Sequence, residues 1–132
     1  MTHTKLTGLL AAPFTPFDEH GEVRYDLIRK QADSLIADGV KGAYICGTTG
    51  EGISCSIEER FRIMETWKEA ATGRLILIVH TGALSLKDTE VLGRKAAELR
   101  YDAFSVIPPT FFKPANEEML ADYCAAAASA AP

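Results

Sequence analysis

The stretch Ala43-Tyr44-Ile45-Cys46-Gly47-Thr48-Thr49-Gly50-Glu51-Gly52, followed shortly by Ser56-Ile57-Glu58-Glu59, holds one complete structural unit. Its apolar start does not alternate with polar residues, which predicts a strand buried on both faces, the condition of a parallel sheet covered by helices. The run then breaks into a glycine-rich turn. Ser56 and Glu59 stand at the spacing of a capping box, in which each satisfies the other's free amide, so a helix opens there. One strand, one loop and one helix follow in order.

The same unit recurs on both sides. Apolar runs at Leu9–Ala12, Leu75–Val79 and Ala103–Ile107 predict three more strands, with starts about thirty residues apart, the length of one strand-helix repeat. A first helix over residues 25–38 carries Ile28, Ala32, Leu35 and Ile36 on one stripe, with Gly39 placed to end it. The second carries Ile57, Phe61, Met64 and Ala71, and Gly73 ends it. A third begins near Ser85, with Asp88 in its first turn and Leu92, Ala96 and Leu99 inward. The fourth is capped by Asn116, carries Met119 or Leu120, Tyr123, Cys124 and Ala127, and runs into an alanine-rich stretch before Pro132. Four alternating strand-helix pairs define an α/β chain. They fit either an open four-stranded sheet or half of a (β/α)8 barrel, since a whole barrel needs about 250 residues. No break in composition divides residues 1–132, which read as a single domain.

With 132 residues, 47% hydrophobic and 24% charged, the chain has the mixture of a globular unit able to bury a core without disulfides. A net charge of −4 and the lack of a basic cluster argue against nucleic acid as a partner. No apolar run approaches the about 20 residues of a membrane helix, and MTHTKLTG lacks the pattern of a signal peptide, so a cytoplasmic protein without membrane contact is expected. Cys46, Cys55 and Cys124 stand at unrelated spacings with no metal-ligand pattern, and Cys46 and Cys124 read as small buried apolar residues.

In either architecture ligands bind beyond the carboxyl ends of the strands. The segment Gly47 to Gly52 is the most informative residue set there: its glycines free the backbone to approach a ligand, and two threonines offer hydroxyl and amide donors. It lacks the Lys of a phosphate loop and the spacing of a dinucleotide loop, and the helix starts several residues too late for either. A carboxylate is the better guest. The alternative is a βα turn whose threonines cap local backbone. Glu51 could act as an acid or base, but its position favours fixing the loop. His80, at the end of an apolar strand, reads as a satisfied core residue; Trp67 and Tyr123 read as packing residues, and His3 and His20 as solvated.

Taken together, Gly47-Thr48-Thr49-Gly50-Glu51-Gly52 and Ser56-Ile57-Glu58-Glu59-Arg60 resemble the signature of the N-acetylneuraminate lyase and dihydrodipicolinate synthase superfamily. Gly8-Leu9 through Thr15-Pro16 is similar to that family's first strand, His80-Thr81-Gly82-Ala83-Leu84-Ser85 to the lyase form of its third loop, and Val106-Ile107-Pro108-Pro109 to its fourth strand. The resemblance implies a (β/α)8 barrel, of which this chain covers the first four units, an oligomer, and Schiff-base chemistry on pyruvate or another 2-keto acid with no cofactor. It further implies that Thr48 and Thr49 hold the keto-acid carboxylate and that Gly47 and Gly50 allow its close approach. Synthases usually carry tyrosine where Phe111-Phe112 stands, and Phe112 is placed at a possible subunit contact. Phenylalanine has no hydroxyl, so the lyase branch, which cleaves N-acetylneuraminate to N-acetylmannosamine and pyruvate, is the first expectation. The synthase, or another pyruvate-dependent aldolase, is the second. A four-stranded module that binds a small carboxylate or phosphate and catalyses nothing is the reading of a different class.

A Schiff-base lysine needs a desolvated place near the site so that it can lose its proton. Lys30, Lys68, Lys87 and Lys95 fall on or at the start of helices, Lys5 and Lys41 precede strands, and Lys113 follows Phe112 in a loop. The catalytic lysine and tyrosine implied by the resemblance belong to a fifth and a sixth strand, so no catalytic residue is assigned in this chain and it is expected to be inactive alone.

Overall fold

Strands and helices alternate through residues 6–130, which the computed structural model describes. The order is β1 (Leu10–Ala11), α1 (Tyr25–Ala37), β2 (Gly42–Ile45), α2 (Ile57–Ala71), β3 (Ile76–His80), α3 (Leu86–Glu98), β4 (Ala103–Ser105) and α4 (Glu117–Ser129). His3 and Lys5 lie outside the described residues. Ser56 accepts from the Glu59 amide at 3.2 Å while the Glu59 carboxylate accepts from the Ser56 amide at 2.7 Å, completing the capping box. Ser85 and Asn116 cap α3 and α4 through the amides of Asp88 and Met119. Gly39 and Gly73 follow α1 and α2 at positive φ, where an L side chain would be strained.

All four strands are parallel and their spatial order is β1-β2-β3-β4. A doubly wound sheet would reverse direction and place later strands beyond the first; this sheet winds one way only, as a barrel does. Ala43, Ile45, Leu77 and Val79 join Ile28, Met64, Trp67 and Leu92 in the core beneath the helices. The period of two then puts Tyr44, Ile78, His80 and Ser105 on the other face. The Tyr44 hydroxyl and the Ser105 Oγ share a hydrogen bond of 2.6 Å across β3 on that face.

Three expectations change. Helices cover one face of the sheet, not two, although β3 is buried on both faces as expected, with Ile78 and His80 buried on the second face as Leu77 and Val79 are on the first. The last strand stops at Ser105, and Val106 to Pro108 peel away as a loop, since Pro108 and Pro109 have no amide to donate to a ladder. Cys124, expected inside, is exposed, and α4 buries only Ala127 among its described residues, because it packs chiefly against α3. The buried face of α2 is also wider than the expected stripe. It comprises Arg60, Ile63, Met64, Trp67 and Ala71, with Ile57 and Phe61 at its edge.

Candidate functional site

Cys46 follows β2 in the left-handed region at φ 54°, and Glu51 adopts φ 51° five residues later, so the turn holds two strained non-glycine residues. Main-chain bonds close it, from the Glu51 amide to the Thr48 carbonyl at 3.1 Å and from the Gly52 amide to the Gly47 carbonyl at 3.2 Å. A Cβ on residue 52 would stand 2.0 Å from the Cys46 carbonyl oxygen, which is why only glycine closes this turn. Thr15, itself buried, reaches over from the β1 loop and donates its hydroxyl to the Gly50 carbonyl at 2.6 Å. The turn is thus anchored from below and presents its upper edge outward.

That edge borders a cavity of 460 Å³ at the carboxyl ends of the strands. Gly47, Thr48 and Glu51 form part of its wall, Tyr44 and His80 come from the sheet, and Val106 to Pro108 stand opposite. Thr49 and Gly50 belong to the same turn but not to this wall: Thr49 is exposed, and Gly50 is packed against Pro13 and Cys46. The Glu51 side chain is exposed and makes no hydrogen bond among the described residues, so the loop is supported through its main chain and by Thr15. Phe112 is 84% exposed on the loop after β4, stacked edge to face with Phe111 at 4.9 Å, away from the cavity. Lys113 borders a separate, apolar groove of 560 Å³ between that loop and α4. Among the described residues, no lysine lies within a strand and no cluster of His, Cys, Asp or Glu could hold a metal.

Two residues have a part here that sequence reasoning did not assign. Arg60, only 2% exposed, donates from Nη1 to the Gly82 carbonyl at 2.9 Å and from Nη2 to the His80 carbonyl at 2.5 Å. A charged residue on a helix reads as solvated, but Arg60 is in phase with Met64, Trp67 and Ala71, and that spacing was the available signal. Its guanidinium has no carboxylate partner among the described residues, and burial pushes its pKa down. His80 is buried as expected but not satisfied. Its Nδ1 has no hydrogen-bond partner, and its ring borders the cavity. Burial first, and the Arg60 charge second, lower the His80 pKa, which keeps the imidazole neutral near pH 7. Burial pushes the Cys46 thiol up to about 12, so it is no nucleophile.

A parallel sheet wound one way, with a strained loop and a cavity at its carboxyl end, defines an α/β chain of the barrel class. Residues 5–132 match the dihydrodipicolinate synthetase family, and the chain belongs to it. It is 42% identical over 130 residues to N-acetylneuraminate lyase of Sus scrofa, covering 97% of this chain and 41% of that protein. The structure of Proteus mirabilis N-acetylneuraminate lyase superimposes with a TM-score of 0.94 at 54% identity, over 98% of this chain and 44% of the other. A dihydrodipicolinate synthase from Aquifex aeolicus superimposes at 0.88 with 29% identity, over 95% and 42%. The chain therefore spans less than half the length of the relatives it matches, and its four βα units form a half barrel of this family's fold.

Proposed function

We propose that these residues form the carboxylate-binding half of an N-acetylneuraminate lyase. Thr48, on the wall of the strand-end cavity, and Thr49 beside it would grip the carboxylate of a 2-keto acid, with Gly47 and Gly50 letting the backbone come close. The placement of Thr48 carries the reading, because hydroxyl and amide donors on a glycine turn at the mouth of a parallel sheet suit a small anion. Resemblance to the family supplies the rest: a lysine and a tyrosine on later strands would form the Schiff base and relay the proton for retro-aldol cleavage to N-acetylmannosamine and pyruvate. Higher identity to the lyases than to the synthase supports the lyase branch. The exposed Phe111 and Phe112 suit a contact between subunits without a hydroxyl relay, and we place the protein in the cytoplasm as a homo-oligomer. No helix among the described residues is long and apolar enough to cross a membrane.

Completing the barrel tests this reading. The chain, combined with the second half of the Proteus mirabilis lyase, is expected to release pyruvate from N-acetylneuraminate and to trap pyruvate under borohydride, whereas the chain alone traps none. A folded, completed barrel that traps pyruvate but leaves N-acetylneuraminate intact would move the assignment to another pyruvate-dependent aldolase. Trapping on the chain alone would refute the division of labour between the two halves.

A further inference from the structure

His80 has the features of a group waiting for a ligand. It closes β3 on the face away from the helices and is only 7% exposed, yet its ring forms part of the 460 Å³ cavity wall that holds Thr48. The ring is held in place from two directions. Behind it, Arg60 takes the carbonyls of His80 and Gly82 together, which fixes the strand end and the first turn of the following loop as one piece. Beside it, the edge carrying Cε1 and Nε2 lies where a side chain on residue 82 would have to go: a Cβ there would stand 2.8 Å from Cε1 and 2.9 Å from Nε2. Glycine at 82 is therefore what lets the imidazole occupy this position. Thr81 completes the clamp, its amide donating to the Ser105 carbonyl at 2.8 Å.

A fixed, buried imidazole ordinarily spends its nitrogens on protein partners, because an unpaired buried polar group costs free energy. Here Nδ1 has no partner among the described residues, and the ring's polar contact with protein is to the Cys46 backbone at the start of the turn. A buried N–H left orphaned is rarer than an unsatisfied acceptor, so the proton of the neutral ring belongs on Nε2 rather than on the enclosed Nδ1. That puts a rigid donor on the wall of a cavity that the polar residues Thr48, Tyr44, Glu51 and Ser54 also line.

We propose that His80 is a direct binding residue for the oxo acid, donating a hydrogen bond from its imidazole to an oxygen of the ligand held by Thr48, with Arg60 as the residue that positions it. This rests on the keto-acid reading of the Gly47–Gly52 turn and adds to it a contact from the neighbouring strand. The ligand end recognised is a carboxylate or the oxo oxygen beside it.

Pyruvate titrated into the 132-residue chain, followed by nitrogen-15 NMR at the Thr48 amide and the His80 ring, tests the assignment. Both signals are expected to move along one saturation curve, with the ring in the Nε2–H form. His80→Phe, which keeps a ring but no donor, should weaken pyruvate about tenfold. His80→Gln, whose side-chain amide can place a donor near Nε2, should stay within about threefold of the parent. Movement at Thr48 with a silent His80 ring, or unchanged affinity in His80→Phe, overturns the role of His80 and leaves the keto-acid reading standing. Silence at both positions overturns the two together. Should His80→Phe not fold, the ring titration in the parent chain decides.

Discussion

The corner around α2 and the end of the chain from β4 through α4 repeat one βα unit, yet α2 buries Arg60, Ile63, Met64, Trp67 and Ala71 whereas α4 buries Ala127 alone. Composition would predict the reverse, since α4 is the more apolar helix of the two. The difference lies in neighbours: α2 has α1 on one side and α3 on the other, while the main neighbour of α4 is α3 alone among the described residues. Burial in a barrel is set by position around the ring, so a helix at the end of a half barrel keeps apolar residues such as Met119 and Leu120 on show. The polar turn that faces the cavity belongs to the well-packed corner, and the exposed aromatics belong to the open end.

The largest test of this contrast is Trp67→Ala against Leu120→Ala. Removing Trp67 should cost about 3–5 kcal/mol in urea unfolding, whereas Leu120→Ala should cost less than about 1 kcal/mol because its side chain is already partly in water. Equal losses would mean that α4 is as firmly packed as α2. Gly52→Ala comes next. Its new methyl would collide with the Cys46 carbonyl, and a loss of about 2 kcal/mol is expected by the same measurement. Smaller and deliberately alike, Ser56→Ala and Asn116→Ala should each remove about 1 kcal/mol of helix stability, seen as faster amide exchange in the first turns of α2 and α4. A local cap does not depend on how many neighbours its helix has, so a much larger effect at Ser56 would show that the two regions differ locally as well.

The smallest effect is one of pH. The folded His80 pKa lies below its ordinary value of 6.5, so between the two the unfolded chain binds more protons and stability rises with pH. The contribution is fully present above 6.5 and declines as pH falls towards the folded pKa. The stability difference between the parent chain and His80→Gln, measured by urea unfolding across this range, should carry that slope. A flat difference would place the imidazole in water.

Local signals account for most of the architecture. Ser56, Ser85 and Asn116 announce their helices because a cap is a matter of a few adjacent residues, and the apolar runs mark the strands for the same reason. What escaped the sequence was tertiary. Arg60 reads as solvent-facing until the His80 and Gly82 carbonyls, twenty residues and more away, are seen to receive its hydrogen bonds. His80 reads as core because only the folded sheet shows that its ring borders the cavity beside Thr48. Cys124 reads as buried because an apolar stripe carries no notice that its partner helix is elsewhere. Thr48 and Thr49 are equivalent on paper, and only the turn's geometry sets one on the cavity wall and the other outside it.

The proposed grip of the Gly47–Gly52 turn on an oxo acid is tested most directly by the affinity of pyruvate for this chain and for its Thr48→Val, Thr49→Val double variant, which keeps the turn's shape and removes both hydroxyls. Binding should fall at least about tenfold in the variant, the loss expected for charge-assisted hydrogen bonds to a carboxylate. Equal affinity in the two chains would contradict the account.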